Sequence, residues 1–374
     1  MINPVELIKI LKKHNMFFYT GVPDSLLKNL CECIEDDTTI KNITCANEGA
    51  AIALAAGHYL STGNIGAVYM QNSGIGNAVN PLASLADKEV YSIPMLLIIG
   101  WRGEPGVKDE PQHIKQGKIS DKLLETLSIP YKIIDSASLN FEKIIADAYQ
   151  YCIDNSEPYA LLVRENTFEP YTGRQSRENK YTLEREKAIK IILENIENDA
   201  VIISTTGKIS RELFELREQL RQSHSHDFLT VGSMGHASQI ALGIAMNKVS
   251  EKIYCLDGDG AAIMHMGSMG IIGTSSCSNY KHIIINNGAH DSVGGQATVG
   301  FDIDFVAIAK GCGYKEALKA ENETELINNI KLIKKNDGPV LLEVRVKIGS
   351  RKNLGRPTNT PIENKNNFMD FLRK

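Results

Sequence analysis

Two short polar motifs in the second half of the chain each follow an apolar run. Residues 258–260 read Gly-Asp-Gly after "KIYCLD", and residues 286–287 read Asn-Asn after "KHIII". Residues 261–285 have the length of one crossover helix and a return strand, so both motifs should lie at one edge of a parallel sheet. The Asp259 carboxylate, the Asn287 amide oxygen and a backbone carbonyl would then form an oxygen-only site of the kind that Mg²⁺ prefers.

The first motif alone has an ordinary explanation, because Asp-Gly turns are common. Its glycines also let a backbone approach a ligand closely, and the helix that follows offers free N–H groups to a phosphate. The pairing with the second motif favours a metal and phosphate site.

A single acid, Glu48, lies in the stretch "CANEGAAIALAAGHYL" (45–60), which contains no Lys or Arg. An acid in the first turn of a helix is favoured by the helix dipole. A buried acid without a cationic partner also has a raised pKa, which suits it to share a proton with a ligand. Both explanations remain open for this residue taken alone.

The elements that position these residues alternate short apolar runs with helical patterns in both halves of the chain. This alternation predicts two similar α/β domains, each a mainly parallel sheet with helices on both faces. A polar stretch containing Pro, Gly and several charges separates the halves. The predicted boundaries are 1–168, a linker at 169–181, and 182–374.

Composition excludes several classes of protein. The chain of 374 residues is 43% hydrophobic with a net charge of −4, which is typical of a globular protein and gives no reason to expect nucleic-acid binding. Its seven cysteines are an odd and scattered set, which predicts reduced thiols in the cytoplasm. The first residues lack the features of a signal peptide, and no apolar run is long enough for a membrane span.

The Gly-Asp-Gly and Asn-Asn motifs with this spacing resemble the signature of thiamine-diphosphate enzymes. The resemblance implies that Asp259, Asn287 and the carbonyl of Ala289 hold Mg²⁺, and that the cofactor diphosphate completes the coordination shell. It also implies that Glu48 hydrogen-bonds N1′ of the aminopyrimidine and thereby promotes removal of the thiazolium C2 proton. The resemblance further implies that three residues around Asp259 contact the cofactor, namely Gly258, Gly260 and Ala261.

Three further stretches resemble the same family. In "TVGSMGHASQIALGIA" the Gly232 carbonyl would accept a hydrogen bond from the aminopyrimidine, and Met234 would hold the cofactor in its bent shape. Taken alone, Met234 is more typical of a core residue. In "STTGKISREL" the helix start would contact the diphosphate. In "MQNSGIGNAVNPLASL" a turn would line the site, although it also fits an ordinary Gly-rich turn. The residues implied by the last two stretches are Gly207, Lys208, Ser73 and Gly74.

The chain is too short for the middle domain of many larger members of the family. It resembles, over nearly its whole length, short 2-oxo acid decarboxylases whose substrates carry a second anionic group. We expect 3-phosphonopyruvate as the substrate, with sulfopyruvate or another 2-oxo acid as the alternative. A carboligating synthase fits less well because the chain is short and has no middle domain. The presence of Glu48 together with the metal motif argues against a cofactor-binding subunit without activity.

A substrate with two anionic groups requires cations or oriented N–H donors. Each cation could instead be a surface charge, and Ser25 could instead cap a helix. His113 and His290 lie near the motifs and could transfer protons at neutral pH. The residues predicted to contact the substrate are Asp24, Ser25, Arg102, Lys118, His290 and Arg351.

The resemblance also implies self-association, because in this family the two cofactor-binding domains usually come from different subunits. We therefore expect a homodimer or higher oligomer with sites at the subunit interfaces. The small residues that follow Glu48, from Gly49 to Gly57, would allow close packing there. No nucleic-acid or membrane partner is expected.

Overall fold

The computed structural model describes residues 1–138, 140–173 and 178–374. The chain divides into two compact units, Met1–Ser176 and Arg177–Lys374. Part of the predicted linker, residues 174–177, lies outside the described residues.

The first unit is a six-stranded parallel sheet with helices between its strands. Its strands are β1 (Phe18–Gly21), β2 (Lys41–Thr44), β3 (Gly66–Gln71), β4 (Met95–Gly100), β5 (Tyr131–Ile134) and β6 (Tyr159–Val163). Its helices are α1 (Pro4–Lys13), α2 (Lys28–Asp36), α3 (Glu48–Thr62), α4 (Ile75–Pro81), α5 (Pro111–Thr126) and α6 (Phe141–Asn155). A 3₁₀ turn, Asn72–Gly74, precedes α4, and a π-helical turn, Leu82–Ala86, follows it.

The second unit repeats this arrangement. Its strands are β7 (Val201–Ser204), β8 (Asp227–Leu229), β9 (Ile253–Gly258), β10 (Tyr280–Asn286), β11 (Glu316–Ala320) and β12 (Val340–Arg345). Its helices are α7 (Arg185–Asn195), α8 (Lys208–Leu220), α9 (Ala237–Asn247), α10 (Asp259–Met264), α11 (Ser268–Thr274), α12 (Phe305–Gly311), α13 (Glu323–Lys335) and α14 (Pro361–Leu372).

The two sheets have the same topology. Their strand orders are β2-β1-β3-β4-β6-β5 and β11-β12-β10-β9-β7-β8. When the second order is written in reverse and its strands are counted from β7, it becomes identical to the first. This repetition confirms the predicted pair of similar α/β domains. Strand order reverses direction between β1 and β3, and again between β7 and β9. In open parallel sheets, ligands bind beyond the strand ends at such points.

The core explains the apolar runs in the sequence. Strands β4 and β10 are buried along their whole length, since helices cover both faces of each sheet. Separate apolar clusters lie on the two faces of each sheet. Within the described part of the chain, no helix has both the length and the apolar character needed to cross a membrane.

The start of α2 differs from the sequence pattern, which predicts a helix over residues 24–33. The helix begins only at Lys28, because the Asp24 carboxylate accepts the backbone N–H of Leu26 and closes a turn. The turn leaves the Asp24 side chain fully buried at the end of β1.

Candidate active site

Asp259 is the buried acid at the carboxyl end of β9. It is the first residue of α10 and is 2% exposed. Its carboxylate accepts hydrogen bonds from the Thr298 hydroxyl and from the backbone N–H of Asn287. Burial raises the pKa of Asp259 to about 6, although these donors favour the ionised form. Such a carboxylate is well suited to neutralisation by a bound cation.

The two asparagines after β10 have different environments. The Asn286 amide donates to the Gly300 carbonyl at 2.6 Å and to Glu343 Oε1 at 2.8 Å, so it fixes the strand end. Asn287 Oδ1 accepts the backbone N–H of Ala289 at 3.1 Å. Since Ile285 pairs with Gly258 across the sheet, the residues that follow these two lie side by side. The structure therefore brings Asp259, Asn287 and Ala289 together.

These residues face a cleft beyond the ends of β7 and β9. The Thr205 hydroxyl lines this cleft, is buried, and has no hydrogen-bond partner among the described residues. Gly207 caps α8 with φ of +97°, and Lys208 is the first residue of that helix. An unpartnered donor, a lysine and a helix N-terminus beside oxygen ligands fit a metal-bound diphosphate. The cleft is lined by Arg185, Thr205, Thr206, Lys208, Ile209, Met234, Gly258, Asp259, Gly260, Ala261, Ile285, Asn287, Ala289, His290, Asp291 and Ser292.

Gly260 makes room for two of the predicted site residues. A Cβ atom at this position would come within 3.0 Å of the His290 ring and 3.3 Å of the Met234 methyl. Burial lowers the pKa of His290 to about 4, so its imidazole is neutral at physiological pH. Gly232 has φ of +73°, and its N–H donates to the Thr206 hydroxyl at 3.1 Å.

A buried group of charges lies beside this cleft and is not evident from the sequence. Arg185 donates twice to Glu212, at 2.7 and 2.9 Å, and once to Asp291, at 2.9 Å. Asp291 Oδ2 also lies 4.0 Å from Lys208 Nζ. In the sequence, Arg185 is one of several charges on an amphipathic helix. Only the tertiary fold shows that it is 5% exposed.

Glu48, the first residue of α3, is 5% exposed. Its Oε2 accepts the amide N–H of Asn77 at 2.7 Å, and a Cβ atom on Gly74 would come within 2.4 Å of its Oε1. Burial raises the pKa of Glu48, and the Asn77 bond opposes that rise. Asn47 caps the helix through the backbone N–H of Ala50, so the helix start does not depend on the glutamate for its cap.

A second polar cluster lies at the carboxyl edge of the same sheet. Arg102 donates to Asp109 through Nε at 2.8 Å and Nη2 at 2.5 Å, and to Ser25 Oγ through Nη1 at 2.6 Å. His113 Nδ1 lies 2.9 Å from Asp109 Oδ1. The Arg102 guanidinium and the neighbouring donors hold the pKa of Asp109 well below its usual range. The structure thus groups three of the predicted residues around an aspartate that sequence reasoning missed.

Hydrogen bonds connect this cluster to the turn beside Glu48. Asn72 donates to the Arg102 carbonyl at 2.8 Å and accepts the Arg102 N–H at 3.1 Å. Ser73 Oγ donates to the Gln71 amide oxygen at 2.7 Å, and the Gln71 amide nitrogen donates to Asp24 Oδ1 at 2.7 Å. Burial raises the pKa of Asp24.

Two other predicted substrate residues have different surroundings. Lys118 is on the exposed side of α5. Arg351 belongs to the second unit, where it is paired with Glu186 at 2.9 Å and with Glu215. Carboxylates therefore already compensate its charge.

Comparison with known proteins identifies similar sequences over the whole chain. The family model for the thiamine pyrophosphate enzyme N-terminal TPP binding domain matches residues 6–124, and the model for the C-terminal TPP binding domain matches residues 205–344. A phosphonopyruvate decarboxylase of Streptomyces viridochromogenes is 33% identical, with alignment over 100% of this chain and 95% of the relative. One from Streptomyces hygroscopicus is 31% identical over 99% and 94%. A sulfopyruvate decarboxylase of Methanosarcina acetivorans is 26% identical over 89% of each chain.

Proposed function

Because the chain belongs to the thiamine-diphosphate-dependent 2-oxo acid decarboxylases, a group of carboxy-lyases, we propose that its substrate is 3-phosphonopyruvate. The products would be phosphonoacetaldehyde and CO₂, in a step of phosphonate biosynthesis such as the route toward 2-aminoethylphosphonate. We place this step in the cytoplasm, where the free thiols of all seven cysteines would remain reduced.

The substrate proposal rests on the two N–H groups of the Arg102 guanidinium that form no hydrogen bond with the described residues. Its bonds to Asp109 and Ser25 use three of its five N–H groups, and the other two have no partner among the described residues. The Arg102 side chain is 20% exposed, so these two donors remain within reach of a ligand. A fixed guanidinium with free N–H groups matches the oxygens of a phosphonate.

We propose that Mg²⁺ is held by Asp259, Asn287 and the Ala289 carbonyl, whose donor set is the oxygen-rich kind that this cation prefers. The Thr205 hydroxyl, Lys208 and the start of α8 would bind the cofactor diphosphate. When bound, the cofactor supplies the electron sink for the electron pair that remains as CO₂ departs.

The proposed roles of the other side chains are proton transfer and positioning. Glu48 would hold and release a proton at N1′ of the aminopyrimidine. His290, which is neutral, and His113, which is oriented by Asp109, would accept or return protons near the substrate.

The substrate proposal is tested by CO₂ release from the purified protein with thiamine diphosphate and Mg²⁺. We expect kcat/KM for phosphonopyruvate to exceed that for sulfopyruvate and for pyruvate by at least about tenfold. The second candidate substrate is sulfopyruvate, since the Methanosarcina relative also spans both halves of the chain. Higher kcat/KM with sulfopyruvate or pyruvate would overturn the proposal. Cofactor binding without turnover of any 2-oxo acid would indicate a non-catalytic subunit.

Replacement of Arg102 tests the phosphonate contact. Arg102→Met is expected to raise the KM for phosphonopyruvate by roughly 10- to 100-fold, because a charged hydrogen bond to the substrate is lost. The dissociation constant of thiamine diphosphate, measured by calorimetry, should stay near the wild-type value. Lys122→Met removes an exposed cation from α5 and serves as the control. An unchanged KM in Arg102→Met would show that the residue only orders its loop.

We also propose a homo-oligomer in which Glu48 of one copy and Asp259 of another copy serve the same cofactor. Support comes from α3, where Leu54 is 38% and Leu60 is 71% exposed in the single chain and Gly57 has open space around its Cα. An exposed apolar helix face of this kind is suited to contact with a second copy.

A further inference from the structure

The two oxygens of the Glu48 carboxyl have different surroundings. Oε2 accepts the Asn77 amide N–H at 2.7 Å. Oε1 lies beside Gly74, where even one added carbon atom would come within 2.4 Å of it. The carboxyl is therefore held through Oε2, and the absence of a side chain at Gly74 provides the room that the Glu48 carboxyl itself occupies.

Backbone packing fixes the position of Asn77. The residue lies on α4, directly after the 3₁₀ turn that contains Gly74. A Cβ atom on Gly49 would come within 2.8 Å of the Asn77 carbonyl oxygen, so α3 and α4 pack here with their backbones in close approach. Although the Asn77 residue is exposed, its amide reaches a carboxyl that is buried.

The chemistry of an amide suits an acid that must change its charge. A Lys or Arg in this position would stabilise the ionised carboxylate and oppose its protonation. A second carboxylate would repel it. A neutral amide donates a hydrogen bond to either form, so Glu48 keeps one orientation while its proton is gained and lost. The Asn77 bond also opposes the rise in the Glu48 pKa that burial causes.

We infer that Asn77 is a positioning residue for Glu48: it holds Oε2 so that Oε1 stays directed to the aminopyrimidine of the cofactor. This inference rests on the proposed role of Glu48 in the reaction. It adds a role for a residue on α4 that contacts the catalytic acid directly.

The test uses the full-length holoenzyme without substrate. The exchange of the cofactor C2 proton for deuterium is followed by NMR in quenched samples, and the cofactor dissociation constant is measured by calorimetry. We expect Asn77→Ala to slow the exchange roughly 10- to 100-fold, as for the loss of a hydrogen bond to a charged group. We expect Asn77→Asp, which has the same shape, to slow it further through repulsion. Both variants should bind the cofactor within about threefold of wild type, because the binding residues of the second unit are unchanged.

Asn80→Ala is the matched control, since Asn80 lies on the same helix and contacts Ser84 instead of Glu48. Exchange within about twofold of wild type in both Asn77 variants would overturn the inference. Glu48→Gln is measured in parallel. Normal exchange in that variant would contradict the proposed role of Glu48 itself, whereas slow exchange in Glu48→Gln with normal exchange in the Asn77 variants would contradict only the inference about Asn77.

Discussion

Glu48→Gln is expected to lower kcat by roughly 10²- to 10⁴-fold, the range typical of losing a general acid–base group. The amide has nearly the same shape as the carboxyl, and its carbonyl oxygen can accept the Asn77 hydrogen bond that Oε2 now accepts at 2.7 Å. Its NH₂ group would then occupy the place of Oε1. This group can donate a hydrogen bond to a ring nitrogen, but it cannot transfer a proton to that nitrogen at neutral pH.

The same substitution should leave stability unchanged or slightly raise it at neutral pH. Burial raises the pKa of Glu48, so its ionised form disfavours the folded state above the ordinary value of 4.5. The gain in melting temperature of Glu48→Gln over wild type should therefore appear above pH 4.5 and vanish below it.

Steady-state kinetics and thermal unfolding over a pH series measure both effects. Glu6→Gln, which changes an exposed acid in the first turn of α1 that pairs with Lys9, is the control for the loss of a first-turn charge outside the site. Turnover of Glu48→Gln near the wild-type rate would refute the proposed role of this acid. A fall in melting temperature comparable to that of a core substitution would show that the residue is mainly structural.

The sequence predicts that Asp259 and Asn287 lie close together, because their geometry is local to two neighbouring strands. Gly-Asp-Gly and Asn-Asn each end an apolar strand. The register of β9 and β10 brings Asp259 level with Asn286, and the backbone N–H of the next residue, Asn287, donates to the Asp259 carboxylate. Glu48 could be found in the same way, since an acid without a cation in a helix of small residues is unusual in the sequence itself. The repeated alternation of strands and helices likewise predicts both sheets.

The residues that could not be predicted depend on contacts between distant segments. Arg185 and Glu212 form a pair that is at most 5% exposed, but each looks like an ordinary surface charge on its own helix. Asp109 is near its partners Arg102 and His113 in the sequence, but Ser25, which also contacts Arg102, is 77 residues away from it. The short strands β8 and β11 lack a clear apolar pattern, and they form the two edges of the second sheet.

The shared topology places different chemistry at equivalent positions of the two units. Beyond β1 and β3 the first unit presents Ser25 and the turn beside Glu48, which are suited to a substrate anion and a proton. Beyond β7 and β9 the second unit presents Thr205, Lys208 and Asp259, which are suited to a diphosphate and a cation. The proposed proton exchange at Glu48 and the proposed cofactor anchoring therefore belong to separate folding units, whereas His290, the other residue proposed to transfer protons, belongs to the same unit as the anchoring residues.

Asp259→Asn is expected to abolish measurable turnover and to weaken Mg²⁺-dependent cofactor binding by more than about 100-fold. Loss of a residue that only hydrogen-bonds a metal ligand typically costs roughly 10- to 100-fold in metal affinity, and Asp259 is proposed to be a ligand itself. The amide has nearly the same shape, and its oxygen can still accept from Thr298 and Asn287, so the fold should persist. Calorimetry with and without Mg²⁺, together with circular dichroism, measures both effects. Asp302→Asn, which changes an exposed acid in the same region, is the control.

Because Asp259→Asn and Glu48→Gln alter different units, a mixture of the two inactive proteins tests whether one site draws on two copies. If the proposed homodimer forms and its subunits exchange at random, half of the dimers contain one of each variant. In these dimers one of the two sites has both intact residues, so about a quarter of wild-type activity should return. Subunit exchange is verified by co-purification of differently tagged copies. No recovery after verified exchange would contradict the proposal that Glu48 and Asp259 of different copies serve one cofactor, whereas recovery would require it.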